Sequence, residues 1–323
     1  MTALWPFDAS IESLWLALYL ASFALHAVFV SYVAAGTGYT LIAALRGAPD
    51  PIAERTRDWL PFMLGAGITA GVGPLLFIQL LYQRRFYTGN LLLGPRWGAV
   101  VPALILGFYA LYLAKASSRW RRFALGVGLA CFAFVAWSWT EIHLVMMDDA
   151  AWRAMYGAGT RMYLSLDVVP RLAIWLGAML ALYAMVAAWS AASGERRRLA
   201  VLALVGLVAS AATAAIQAGT RGALDPAHGW TYVLMLAAAA ATVGWAWILR
   251  RPDGPGLALA TGATTAALLA GAVVREAPRL AMIERGRASA SESGGLVVFF
   301  VTLAVGVAAI TWVIRTVRGA AAT

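Results

Sequence analysis

Charge is scarce in this sequence. Asp, Glu, Lys and Arg make up only 12% of 323 residues, against 62% hydrophobic. A soluble domain carries roughly a quarter of its residues charged, and its surface needs a polar cover that this chain cannot supply. A soluble globular protein is therefore excluded, and lipid takes the place of water around the apolar surface. Cysteine is nearly absent as well. Cys131 stands alone in an apolar segment, which rules out an intrachain disulfide and a cysteine metal cluster. Histidine is limited to His26, His143 and His228. There is no P-loop, HExxH or GxSxG motif and no metal-ligand spacing. No internal repeat is visible, which counts against an inverted-repeat transporter. The first residues include Asp8 and Glu12 but no basic residue. A cleavable signal peptide needs a positive leading region, so the first apolar helix is expected to remain in the mature protein.

The charge that is present leans positive. The net +10 is nearly all arginine, and the arginines lie between apolar segments. There they fix topology and meet anionic lipid headgroups, so nucleic acid is not an expected partner. A bilayer core of about 30 Å takes about 20 apolar residues at 1.5 Å each. Stretches of that kind run roughly over 13–45, 59–82, 96–114, 123–146, 168–192, 199–217, 229–249, 256–275 and 294–315. The fold expected is all-α: one integral membrane domain over 1–323, a polytopic transmembrane bundle of about nine helices. Breaks rich in Gly, Pro and charge fall at Arg46–Asp58, Gln83–Arg96, Lys115–Arg122, Ser193–Arg198 and Arg250–Gly256. Short, dense basic clusters occur around Arg46, Arg55 and Arg57, Lys115 to Arg122, Arg196 to Arg198, Arg250 and Arg251, and Arg315 and Arg318. The positive-inside rule then puts the N-terminus outside and the C-terminus in the cytoplasm. The two longest connections, about 147–167 and 276–293, fall outside; loops of this length are either functional or plain spacers.

Polar groups inside membrane helices are expensive and are often kept for function. His26 lies about half way along the first segment. A neutral imidazole at that depth can ligate haem iron, or can simply hydrogen-bond a neighbouring helix. Glu141 and His143 lie near the outer end of the fourth segment. Two residues apart on a helix they point in different directions and do not form a dyad. Either can accept a proton from a quinol at the outer interface; the plainer expectation is that both reach into interfacial water beside Trp137 and Trp139. Counted along the helices, His26 is roughly 15–20 Å from the outer surface and His143 only about 6 Å, so the two are not expected to clamp one haem. His228 falls in an outer loop. The second segment ends in the most distinctive run, with Gly65, Gly67, Gly71, Gly73 and Pro74. Its glycines allow a neighbouring helix or a planar cofactor to lie close, and Pro74 is expected to kink it. Gln79, Tyr82, Arg84 and Arg85 are then expected at the outer interface, within reach of quinone or lipid headgroups.

These features resemble subunit I of cytochrome bd-type quinol oxidases over about residues 13–150. The first-helix histidine followed by Phe-Val and small residues corresponds to His26, Phe29, Val30 and the Ala34–Gly38 run. Trp59, Gly71-Val72, Phe77, Gln79, Tyr82, Phe86, Tyr87 and Gly94-Pro95 resemble the family's second helix and following turn; its adjacent Phe and Gln are separated here by Ile78. The resemblance implies that His26 is a haem ligand. The departures are as informative. The family's third-helix glutamates have no counterpart between Val100 and Leu113, its fifth-helix histidine is missing around Ile174 and Trp175, and its axial methionine has no clear match. A three-haem oxygen-reducing site is not expected. The resemblance implies instead a shortened relative in a bacterial-type inner membrane: an electron-transfer subunit with a b-type haem or a quinone and with partner subunits. The alternatives are a cofactor-free structural or assembly subunit and, behind it, a small-solute transporter.

Overall fold

The computed structural model of the protein describes residues 11–160, 162–163, 165–221, 229–283, 297, 300–308, 311–312 and 315. Among these there is no strand. The helices in order are α1 (Ile11–Arg46), α2 (Pro51–Leu81), α3 (Gln83–Leu92), α4 (Gly94–Ala116), α5 (Arg121–Val145), α6 (Asp149–Ala158), α7 (Val168–Ala188), α8 (Ser193–Arg221), α9 (Gly229–Arg250) and α10 (Gly254–Glu276), with a 3₁₀ turn over Ala277–Met282. Eight of them, α1, α2, α4, α5 and α7 to α10, are long and apolar enough to cross a membrane. The expected ninth stretch, 294–315, is described only in part; within it, residues 300–308 are helical. The break expected at Gln83–Arg96 is itself helical. Its polar residues form α3, which lacks the length to span a bilayer.

Local chemistry sets the helix ends. Asp50 accepts hydrogen bonds from the Ile52 and Ala53 amides at 3.0 and 3.3 Å, directly ahead of Pro51. Asp253 takes the Gly256 amide at 2.9 Å ahead of Pro255, and Asp148 takes that of Ala151 at 2.9 Å. Each carboxylate satisfies amides that have no partner inside the helix. Gly47, at φ 72°, closes α1, since a left-handed residue there is free of Cβ strain. Helix α2 runs unbroken through Pro61 and Pro74, which membrane helices tolerate where neighbours cover the freed carbonyl.

The spanning helices pack as four hairpins: α1 with α2, α4 with α5, α7 with α8 and α9 with α10. Helix α1 is the hub and also touches α5, α7 and α10. The four tight connections, at 47–50, 117–120, 189–192 and 251–253, gather at one end of the bundle, here the turn end. The longer connections, with α3 and α6, form the opposite, long-loop end. Ion pairs and arginine-to-carbonyl bonds tie the turns together. Arg55 pairs with Glu195 at 2.5 Å, Arg198 with Asp50, and Arg122 and Arg196 donate to the Ala44 and Pro252 carbonyls.

Two apolar cores are stacked along the axis. The turn-end core is built on Tyr32, Leu60, Leu111, Tyr183, Ala200 and Trp245. The long-loop core is built on Trp15, Tyr19, Phe77, Tyr82, Phe86, Ile142 and Val273. Leu25, Val72, Leu106, Tyr109, Leu176, Leu236 and Val243 stay exposed, as the lipid-facing side of a membrane bundle must.

Candidate functional site at the long-loop end

His26 sits between the two cores, at the α1–α2 seam. Its Nδ1 is 2.9 Å from the Gly67 carbonyl oxygen. A carbonyl only accepts, so Nδ1 carries the proton and Nε2 keeps the lone pair. A Cβ at Gly71 would stand 2.8 Å from His26 Cε1, and one at Gly73 would stand 2.9 Å from Ser22 Cβ. The same stripe at Gly67 meets Phe29 at 3.4 Å. Of the two uses open to these glycines, close approach of α1 is the one the bundle makes. The chemistry of His26 still fits a single axial ligand: neutral, of fixed tautomer, with Nε2 available. Among the described residues no group of three or more His, Cys, Asp or Glu could hold a metal ion.

Glu141 and His143 turn to different neighbours, as their spacing requires. Neither reaches into interfacial water. Glu141 is fully buried, ion-paired with Arg96, and accepts from Trp137 Nε1 at 2.7 Å. His143 is buried and its Nδ1 accepts from Arg275. The cause is tertiary. The first residues of α4 and the last turn of α10 carry arginines alongside α5, and an arginine brought into the bundle draws in the acid or imidazole that partners it.

Tyr82 and Arg85 also depart from the expected interfacial reach. Tyr82 is buried and donates to Glu276 Oε1 at 2.7 Å. Arg85 bonds the Met146 carbonyl at 3.0 Å and Asp149 at 2.9 Å, and lies over the Trp152 ring at 5.3 Å. It therefore ties α3 to α6. Arg84 is exposed. His228, Glu284, Arg285 and Arg287 lie outside the described residues.

Gln79 is different, because it lines a cleft of about 370 Å³ with Phe86, Tyr87, Asn90, Leu91, Gly94 and Trp97. The Tyr87 hydroxyl donates to Gln79 Oε1 at 3.3 Å, which leaves the amide nitrogen of Gln79 free to donate. Asn90 Oδ1 is buried and has no hydrogen-bond partner. Trp97 packs edge-on against Trp139, centroids 4.9 Å apart, and Trp139 does the same against His143 at 6.0 Å. An aromatic-walled cleft that offers an amide donor suits a flat ring with oxygen substituents.

A second polar constellation at this end was not legible in the sequence. Arg275, Glu276 and Arg279 fall where α10 passes into an expected loop, yet Glu276 and Arg279 are 1% and 3% exposed. Arg279 is ion-paired with Glu276 and donates to Tyr19 Oη at 3.3 Å. Arg275 lies over the Phe23 ring at 4.6 Å and the Trp175 ring at 5.8 Å. Arg171 of α7 is close enough for its charge to act on Arg275, Arg279 and His143. The one signal available in sequence was the i, i+4 spacing of Arg275 and Arg279 across Glu276, which puts both guanidiniums on one helix face. Comparison with protein-family models, with curated proteins and with solved structures found no match to this chain.

Proposed function

We propose that the protein is a membrane subunit of an electron-transfer complex that holds a quinone in the Gln79–Asn90 cleft, with His26 as the position for one b-type haem. The cleft carries this reading. Gln79, oriented by Tyr87, offers an N–H to a quinone carbonyl. Phe86 and Trp97 supply ring contacts. The resemblance of residues 13–150 to cytochrome bd-type subunit I points the same way. A haem, when bound, supplies one-electron transfer; the chain's own part is to hold His26 in a single tautomer through Gly67. Glu141 and His143, both engaged by arginines, serve as positioning residues behind Trp97 and Trp139 rather than as free bases. In this reading the turn end is cytoplasmic, the long-loop end faces outward, residues 294–315 complete a ninth span, the membrane is a bacterial-type inner membrane, and partner subunits complete the electron path.

Two measurements on the detergent-purified protein test it. Titration with a short-chain benzoquinone should show saturable binding, weakened about tenfold by Gln79→Leu, the expected loss for a buried hydrogen bond. A reduced-minus-oxidised spectrum should show a b-type α-band that disappears in His26→Ala. Without quinone binding the electron-transfer reading falls. Quinone binding with a flat spectrum, from cells supplied with haem, removes the haem alone. A second reading has its own support: α1 side chains fill the glycine stripe that a planar cofactor would need, as in a cofactor-free structural subunit. That reading requires His26→Ala to leave complex assembly and electron flow unchanged.

A further inference from the structure

Arg275 of α10 and Arg279 of the following 3₁₀ turn meet His143, Tyr19 and Glu276 at the long-loop end, and Arg171 of α7, far away in sequence, lies near enough for its charge to act on both. Among the described residues Glu276 is the one acid paired with any of the three arginines. The aromatic rings of Phe23 and Trp175 hold the Arg275 guanidinium in place but bring no full counter-charge. His143 accepts from Arg275, so its imidazole adds no negative charge either. Arg279, 3% exposed, keeps Nη1 buried and without a hydrogen-bond partner. Among the described residues, three guanidiniums stand against one carboxylate, and in a low-dielectric setting they repel one another unless an anion joins them. Arg171 and Arg275 are half-buried, whereas Arg279 is buried.

We propose that this constellation is a binding site for a phosphate-bearing group, taken either from an anionic phospholipid headgroup or from a free phosphate. Planar N–H forks match phosphate oxygens in pairs and do so most strongly when desolvated. The charge balance favours this class of ligand. Among the described residues one carboxylate is present, and the remaining charge of two guanidiniums is what a phosphate dianion, or the phosphates of adjacent lipids, neutralises. Tyr19 hydroxyl, within 3.5 Å of Arg275 and 3.3 Å of Arg279, joins the two guanidiniums. The site is separate from the Gln79 cleft and does not depend on the reading given to that cleft.

The test uses the full chain, delipidated in a neutral detergent, with thermal unfolding as the readout. Three probes are added separately: inorganic phosphate, phosphatidylglycerol and phosphatidylcholine. A rise of several degrees in Tm with phosphatidylglycerol but not with inorganic phosphate identifies a lipid headgroup. A rise with inorganic phosphate identifies a soluble anion. Either supports the site, provided phosphatidylcholine has less effect and Arg171→Gln weakens the apparent affinity at least about tenfold, as loss of a charged hydrogen-bond partner should. Arg171 is the variant of choice because it makes no ion pair among the described residues and its loss leaves no acid stranded; Arg171→Lys, which keeps the charge, should bind with intermediate affinity. No Tm response of the wild type to either phosphate probe overturns the proposal, as does an equal response in Arg171→Gln.

Discussion

At the residue scale, the acids of this chain do more than solubilise it. Asp50 shows how much one carboxylate can hold. It caps α2, accepts from Tyr39 Oη at 3.0 Å and pairs with Arg198, so it joins α1, α2 and α8 at the turn end. Partial burial works against its charge, but the Arg198 and Tyr39 hydrogen bonds and the Ala53 amide outweigh that and hold its carboxyl below the usual value of 3.8. A group whose folded pKa is depressed gives stability that is fully present above the unfolded value and is lost as pH falls through the folded one. The Tm in detergent should therefore be insensitive to Asp50 between pH 7 and pH 5 and should fall below about pH 4. Asp50→Asn should lower the neutral-pH Tm, since an amide caps but does not pair, and should flatten the acid decline. An unaltered acid decline in that variant would remove Asp50 from the account.

At the scale of elements, close approach sets the geometry. The α7–α8 hairpin crosses at Gly177 and Gly206, where a Cβ on Gly177 would come within 2.6 Å of the Gly206 carbonyl oxygen. That neighbour is backbone, so no rotamer change relieves it. Gly177→Ala should separate the two helices and cost about 1–3 kcal/mol, the range for overpacking a filled core, read as a lower Tm in detergent. Gly262→Ala, on α10 with nothing near its Cβ position, is the matched control and should be neutral or slightly stabilising. Equal effects at the two positions would show that packing at the crossing is looser than drawn here. Helix existence was readable from apolar run length. Helix α3 was not, because its polar composition between two spans is the same composition that marks a loop; only its packing on α5 and α6 makes it a helix.

At the scale of the whole molecule, the four tight turns share one end and its arginines bond across them. The positive-inside rule assigns that end to the cytoplasm. In a Cys131→Ala background, a membrane-impermeant maleimide applied to intact cells should label Gly157→Cys, at the exposed end of α6, and spare Ser118→Cys, in the exposed α4–α5 turn. The reverse pattern inverts the topology and moves both the cleft and the arginine constellation to the cytoplasmic face. Because the labelling tests sidedness alone, it leaves the two binding sites to their own experiments.

The sequence by itself determined that the chain lives in lipid, that it is helical, and close to where its spans begin and end. These follow from run length and charge scarcity, both of which act locally. It also marked His26 as a polar group that needs a partner at depth, and it placed Glu141 and His143 in interfacial water, where neither lies. Only the tertiary structure decided who the partners are: Gly67 for His26, Arg96 and Trp137 for Glu141, Arg275 for His143. It also drew Tyr82, Glu276 and Arg279 inward from what reads as an interface and a loop. The physical reason is that a buried charge is tolerable only beside its complement. When that complement lies 41 to 194 residues away, no local pattern records it, and the order in which α1, α2, α5, α7 and α10 surround one another makes the choice.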